Sequence, residues 1–135
     1  MRLTTQENNA IASKLPFQFE STEFALGRWG NVDYYSKQGN VLVLLEIEKG
    51  QKHPNTNVLK VWPFFEENRE IKILLIQIIH PENRAPKNRL QLCKFTGKKL
   101  EEIYPDRFKY LRFLWHPDIL QEIKERIKNK MDALI

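Results

Sequence analysis

The sequence predicts a single α/β domain over residues 1–135, with a mixed central sheet (an antiparallel hairpin plus a parallel crossover strand) flanked by helices. Three observations lead to it. Residues 31–36 and 41–48 are strand-like runs separated by Lys37-Gln38-Gly39-Asn40, whose Gly and Asn suit a tight hairpin turn. Residues 71–79 read Ile-Lys-Ile-Leu-Leu-Ile-Gln-Ile-Ile, the pattern of a strand buried on both faces at the sheet centre. Between these runs Val58, Val61, Trp62 and Phe65 form one apolar helical face, and a strand, a helix and a buried strand in that order imply a right-handed crossover to a parallel neighbour.

The flanking elements follow from local signals. Thr4 and Glu7 make a capping box that opens a helix through Ala10, Ile11 and Leu15, and Pro16 closes it. In residues 17–30, Phe17 and Phe19 alternate and Gly27 and Gly30 mark bends, so the stretch reads as a short strand or loop. Pro54-Asn55-Thr56-Asn57 starts the crossover helix, Pro63 kinks or shortens it, and Asn68 ends it. After a turn-rich stretch at 80–86, residues 89–95 alternate like a strand, and Thr96 caps a short helix over 97–104 that Pro105 stops. Residues 108–115 are rich in aromatics, and their periodicity leaves strand and helix both open. The last helix begins near Pro117 and carries Ile119, Leu120, Ile123, Ile127, Met131 and Leu134 as a stripe. Lys124, Arg126, Lys128 and Lys130 lie largely outside that stripe, as on a solvated face.

Composition narrows the function classes. A hydrophobic content of 41% with 8 Phe, 4 Tyr and 3 Trp suffices for a packed core. No apolar run approaches the roughly 20 residues needed to cross a bilayer. The polar start, Met1-Arg2-Leu3-Thr4-Thr5, has no signal-peptide pattern, and the expected location is cytoplasmic. Cys93, the lone cysteine, has no partner for an internal disulfide and reads as a buried structural thiol. Residues 71–135 carry 14 of the 22 basic side chains but only 8 of the 17 acidic ones, a balance that suits a polyanionic partner. His53, His80 and His116 stand too far apart for a zinc pattern, and no glycine-rich phosphate loop or nucleophile elbow is present.

The chemistry concentrates in the hairpin. With Gln38-Gly39 as its two-residue loop, Ser36 pairs with Val41 and Asp33 lies opposite Leu44, which makes Asp33 and Glu46 diagonal neighbours. Strand alternation puts Asp33, Leu44, Glu46 and Glu48 on one face and Val43, Leu45 and Ile47 on the other. Grouped carboxylates repel one another and need a cation, and magnesium takes one or two carboxylates while water and substrate phosphate fill its other positions. Such a metal stabilises charge on a scissile phosphate and lowers the pKa of bound water.

Asn31-Val32-Asp33, a 13-residue step and then Glu46-Ile47-Glu48-Lys49 resembles the PD-(D/E)XK nuclease superfamily, whose helix, acidic hairpin, crossover helix and parallel strand match the order read over residues 4–79. The resemblance implies a restriction-endonuclease-like core and a Mg2+-dependent endonuclease, with Mn2+ as a possible substitute and DNA favoured over RNA. It makes Asp33, Glu46 and Glu48 the metal-binding and catalytic group. Glu48 stands where the motif has Lys, as in some restriction enzymes of the superfamily, where Glu serves as a metal ligand or as a base. Lys49, one residue later, points to the other face of a regular strand, and a bulge would bring it back as a fourth catalytic residue. Glu7 or Glu20 is a further acidic candidate from the N-terminal segment.

Beside this site Lys52 and Lys60 are candidate phosphate contacts, and Asn57 orients a water or phosphate or else caps the helix. His53 reads as a general acid or, more simply, as a turn residue before Pro54. A single site per chain makes a homodimer the natural arrangement for cutting both strands. The alternative function is a catalytically inactive member of the same fold that binds nucleic acid or a protein partner through the basic C-terminal half, and a third is an interaction protein indifferent to metal and nucleic acid.

Overall fold

A computed structural model describes residues 3–20 and 22–135 and, within the first helix, side chains from Gln6 onward. In chain order the elements are α1 (Leu3–Ser13), β1 (Phe24–Ala25), a 3-10 turn (Gly27–Trp29), β2 (Asn31–Val32), β3 (Tyr34–Gln38), β4 (Val41–Glu48), α2 (Pro54–Leu59), α3 (Val61–Glu67), β5 (Lys72–Ile79), α4 (Lys87–Ile103), β6 (Phe108–Leu114), a second 3-10 turn (Pro117–Ile119) and α5 (Leu120–Leu134). The main sheet has the order β3-β4-β5-β6. β3 and β4 pair antiparallel, while β4 with β5 and β5 with β6 pair parallel. A separate antiparallel ribbon joins β1 to β2.

Both faces of the sheet are covered, and strand alternation divides the core accordingly. Val41, Val43, Leu45 and Ile47 pack with Ile11 and Ala12 of α1 and with Ile123, Ile127 and Met131 of α5. Leu42 and Leu44 pack with Val58, Val61 and Phe65 of the crossover and with Cys93 and Leu100 of α4. Every residue of β4 is buried, and so is every residue of β5 after Lys72, which is why the two runs lack a polar period.

The crossover is two short helices rather than one. Pro63 has no N–H to donate to the carbonyl of Leu59, and the chain is interrupted between them, at Lys60. Asn68 ends α3 as expected. At the N-terminus the helix is present, whereas the Thr4 cap falls on a side chain outside those described.

Residues 89–95 are helical, not a strand, and belong with 97–103 to the single helix α4, so Thr96 lies inside the helix and is not its cap. The buried positions, Cys93, Gly97 and Leu100, follow helical spacing, whereas Leu92 and Phe95 are 46% and 65% exposed. The alternation of Leu90 and Leu92 therefore did not mark a sheet face. Residues 108–115 form β6, whose Leu111 and Phe113 face one core cluster and Phe108 and Tyr110 the other. The α5 stripe is buried at Ile123, Ile127, Met131 and Leu134. Among the described residues no helix is long and apolar enough to cross a membrane.

Gly97 sets how closely α4 approaches the sheet, because a Cβ there would lie 2.2 Å from ring carbons of Tyr110. Gly97→Ala gains about 1 kcal/mol of helix propensity. Displacing the Tyr110 ring costs about 1–3 kcal/mol. Urea denaturation should therefore show Gly97→Ala to be the less stable protein; equal or greater stability would show that α4 has room to spare.

Candidate functional site

The hairpin register places the first carboxylate. Gly39 takes φ +64°, which suits the first position of the two-residue loop, so the loop is Gly39-Asn40 and Gln38 pairs with Val41. Relative to the Gln38-Gly39 loop expected from sequence, the pairing is displaced by two positions. Tyr34 lies opposite Leu45, and Asp33, at the bend just before β3, is next in line with Glu46 rather than with Leu44. An even displacement preserves the face, so Asp33 stays on the side of Glu46 and Glu48, and its charge acts on both.

Glu46 is 2% exposed and Glu48 is fully buried. The crossover supplies their partners. Lys60, at the break between α2 and α3, places Nζ 3.1 Å from Oε1 of Glu46 and 2.8 Å from Oδ1 of Asn57, and it also donates to the carbonyl of Asn31. Asn57 donates through Nδ2 to both carboxylate oxygens of Glu48, at 2.8 and 2.9 Å. From β5, Gln77 donates through Nε2 to Glu48 at 2.7 Å and to the carbonyl of Pro54 at 3.0 Å. Its Oε1 accepts the Tyr110 hydroxyl at 2.6 Å. One continuous chain of hydrogen bonds thus runs from Tyr110 through Gln77, Glu48, Asn57 and Lys60 to Glu46.

Burial dominates the electrostatics. It pushes Glu46 up to about 9, with the negative charge of Asp33 adding to the effect and Lys60 opposing it. Glu48 is raised as well, chiefly by burial, against the lowering pull of Asn57 and Gln77. Lys60 pairs with Glu46 and acts on Glu48 from a distance, while burial holds both carboxyls toward their protonated forms.

The donor chemistry fits a hard divalent cation, since every candidate ligand is an oxygen. Oε1 of Gln51 and Oδ1 of Asn55, in the stretch linking Glu48 to Asn57, are also buried without a hydrogen-bond donor. The ligand geometry is another matter: among the described residues no three Asp, Glu, His or Cys side chains are gathered as a ready metal site. Asp33, Glu46 and Glu48 share a face, but Glu46 and Glu48 are linked through Lys60 and Asn57 instead of converging on one point.

The other sequence candidates fall in different places. Lys49 lies in the bend just past the end of β4, and its ammonium pairs with Glu7 of α1 and, at 3.5 Å, with Glu82. It therefore does not join the acidic group. Glu7 is committed to that same cluster, 3.6 Å from Nε2 of His80, and Glu20 is exposed in the segment before β1. Lys52 is exposed beyond β4, and its carbonyl accepts from Arg89 at 2.7 Å. His53 is exposed at the start of α2, without a side-chain cap bond. Asn57 is no cap; it holds Glu48 and Lys60 together. Cys93 is buried and its thiol is pushed up to about 11, chiefly by that burial.

Sequence reasoning missed Gln77 and Tyr110. Gln77 carried a signal, as a polar side chain interrupting a strand apolar on both faces; Tyr110 carried none. The chain matches no family model, no curated protein and no solved structure.

The raised Glu46 couples stability to pH. Unfolded, this carboxyl titrates near 4.5, and in the fold near 9, so between these values the native state holds a proton that the unfolded state has released. Its contribution to stability is complete at low pH and is lost as pH rises through that window. In divalent-free buffer, the Tm of wild type should fall more steeply from about pH 5 to about pH 9 than that of Glu46→Gln. Parallel curves would mean that Glu46 titrates as an ordinary carboxylate.

Proposed function

We propose that the protein is a metal-dependent endonuclease that hydrolyses phosphodiester bonds, DNA in preference to RNA, with Mg2+ as the cation and Mn2+ as a substitute. One observation carries the reading: Asp33, Glu46 and Glu48 share a face at one end of the sheet, where buried carboxyl groups crowd the single ammonium of Lys60. The order of α1, the β3–β4 hairpin, the α2–α3 crossover and parallel β5 supports a restriction-endonuclease-like core.

In this reading Asp33, Glu46 and Glu48 hold the cation, which when bound supplies charge stabilisation at the scissile phosphate and acidifies water. Asn57 and Gln77 orient Glu48, and Tyr110 orients Gln77. Lys60 shifts its ammonium from Glu46 toward substrate phosphate, and so provides from the crossover the positive charge missing at position 48. Lys52, exposed just past the strand end, is placed for a second phosphate contact.

A second reading has its own support. Glu48 accepts three hydrogen bonds and Glu46 has Lys60, so protein groups alone complete the network, as in a catalytically silent module that binds nucleic acid or a protein.

Incubation with circular DNA and with RNA, in magnesium, manganese or chelator, separates the two. The nuclease reading expects metal-dependent cutting that is abolished in Asp33→Ala and Glu46→Ala proteins verified as folded by circular dichroism. For Asn57→Ala it expects a loss of about 10–100-fold, the usual effect of removing a group that orients a ligand. Binding without cutting under every metal condition would decide for the silent module.

A further inference from the structure

The basic excess of the C-terminal half has a definite place in the fold. A groove of about 180 Å³ runs along the outer side of β6 between α4 and α5, and its lining includes Lys94, Lys98, Arg112, Arg126 and Lys130. We propose that this groove binds the phosphodiester backbone of a nucleic-acid strand, as a second contact surface outside the carboxylate site.

The groove is lined by these cations and by one carboxylate, that of Glu101. Glu101 accepts from Lys130 at 2.7 Å and from the backbone N–H of Tyr110 at 2.7 Å, which leaves it balanced by a single lysine. Among the described residues Lys94, Lys98, Arg112 and Arg126 take part in no salt bridge. Two of the four are held in place before any ligand arrives: Arg112 donates through Nη1 to the carbonyl of Leu90 at 2.8 Å, and the Arg126 guanidinium lies 4.9 Å from the Phe113 ring centre. Prior ordering of this kind reduces the entropy lost on binding.

The layout favours a chain of phosphates over a single anion. Lys94 and Lys98 on α4, like Arg126 and Lys130 on α5, are spaced four residues apart, about 6 Å along each helix axis. The trough therefore has Lys94 and Lys98 along one wall and Arg126, beside the Lys130–Glu101 pair, on the other. An added peptide strand is disfavoured, because Glu101 already occupies the Tyr110 amide on this open edge. Across the sheet, Glu46, Gln77 and Arg112 stand in register in one row. Arg112 is thus two strand spacings, about 10 Å, from Glu46.

The choice of nucleic acid over other polyanions rests on the nuclease reading, and the experiment keeps the two separable. A labelled DNA oligonucleotide is titrated by fluorescence anisotropy in chelator, where no metal-dependent cutting occurs, over a series of salt concentrations. Lys98→Gln combined with Arg126→Gln is expected to weaken binding at low salt by tenfold or more and to flatten the log–log salt slope by about 1.4–1.8, the share of two lost phosphate contacts. Lys37→Gln combined with Arg69→Gln removes the same charge elsewhere on the surface and should leave the slope unchanged. Equal losses in both double variants, no effect of either, or displacement of the oligonucleotide by polyglutamate as readily as by unlabelled DNA would each overturn the proposal. Cutting assays in magnesium report separately on the carboxylate site: a wild type that binds through the groove but never cuts sinks the nuclease reading and leaves the groove standing.

Discussion

Two glutamates buried in an inner strand are the constraint around which this protein is arranged. A fully buried Leu or Ile contributes about 1.5–3 kcal/mol. An ionised carboxylate taken out of water costs several kcal/mol even after relaxation, and leaving a buried partner unpaired costs about 3–5 kcal/mol. Positions 46 and 48 of β4 are therefore tolerable only with dedicated partners. Lys60 and Asn57 come from the crossover, Gln77 from β5 and Tyr110 from β6. Gly97 on α4 leaves room for the Tyr110 ring. A single polar network thereby ties β4 to elements on both sides of it.

The crossover is placed to serve the same constraint. Lys60, between α2 and α3, keeps helical φ −63° and ψ −23°, and its i, i+3 spacing sets it beside Asn57, from where it reaches Glu46, Asn57 and the Asn31 carbonyl together. Parallel pairing of β4 and β5 sets Gln77 level with Glu46, within diagonal reach of Glu48. The two core faces consequently differ in kind. The face toward α1 and α5 is apolar along all of β4, and the face toward the crossover turns acidic over its last residues. Titratable groups are divided likewise, with carboxyl groups in the interior and cations along the β6 edge.

How much of this was legible in the sequence varies with the range of the interaction involved. The buried runs of β4 and β5 and the α5 stripe could be read because burial leaves a periodic or unbroken apolar pattern. The shared face of Asp33, Glu46 and Glu48 could be read because strand parity survives a displacement of two residues, although the Gly39 backbone had shifted the pairing itself. In residues 89–95 alternating leucines in a short window fit a strand as well as a helix, and the burial of Cys93, Gly97 and Leu100 that marks the helix arises from contacts with segments distant in sequence. The roles of Lys60 and Asn57 were only partly readable: they were near the site by chain order, but which atoms they would hold depended on how the crossover packs on β4.

By itself the sequence determined the class of architecture and the face that carries the acids, since hydrophobic period and strand alternation are properties of neighbouring residues. Only the tertiary structure decided what surrounds those acids. It put Lys60 and Asn57 between Glu46 and Glu48, turned Lys49 away to Glu7, and brought Lys94, Lys98, Arg112 and Arg126 to one groove. The physical reason is that a buried charge takes its partners from whatever the packing of separate elements brings within a few ångströms, and that proximity is not encoded in any local window of the chain.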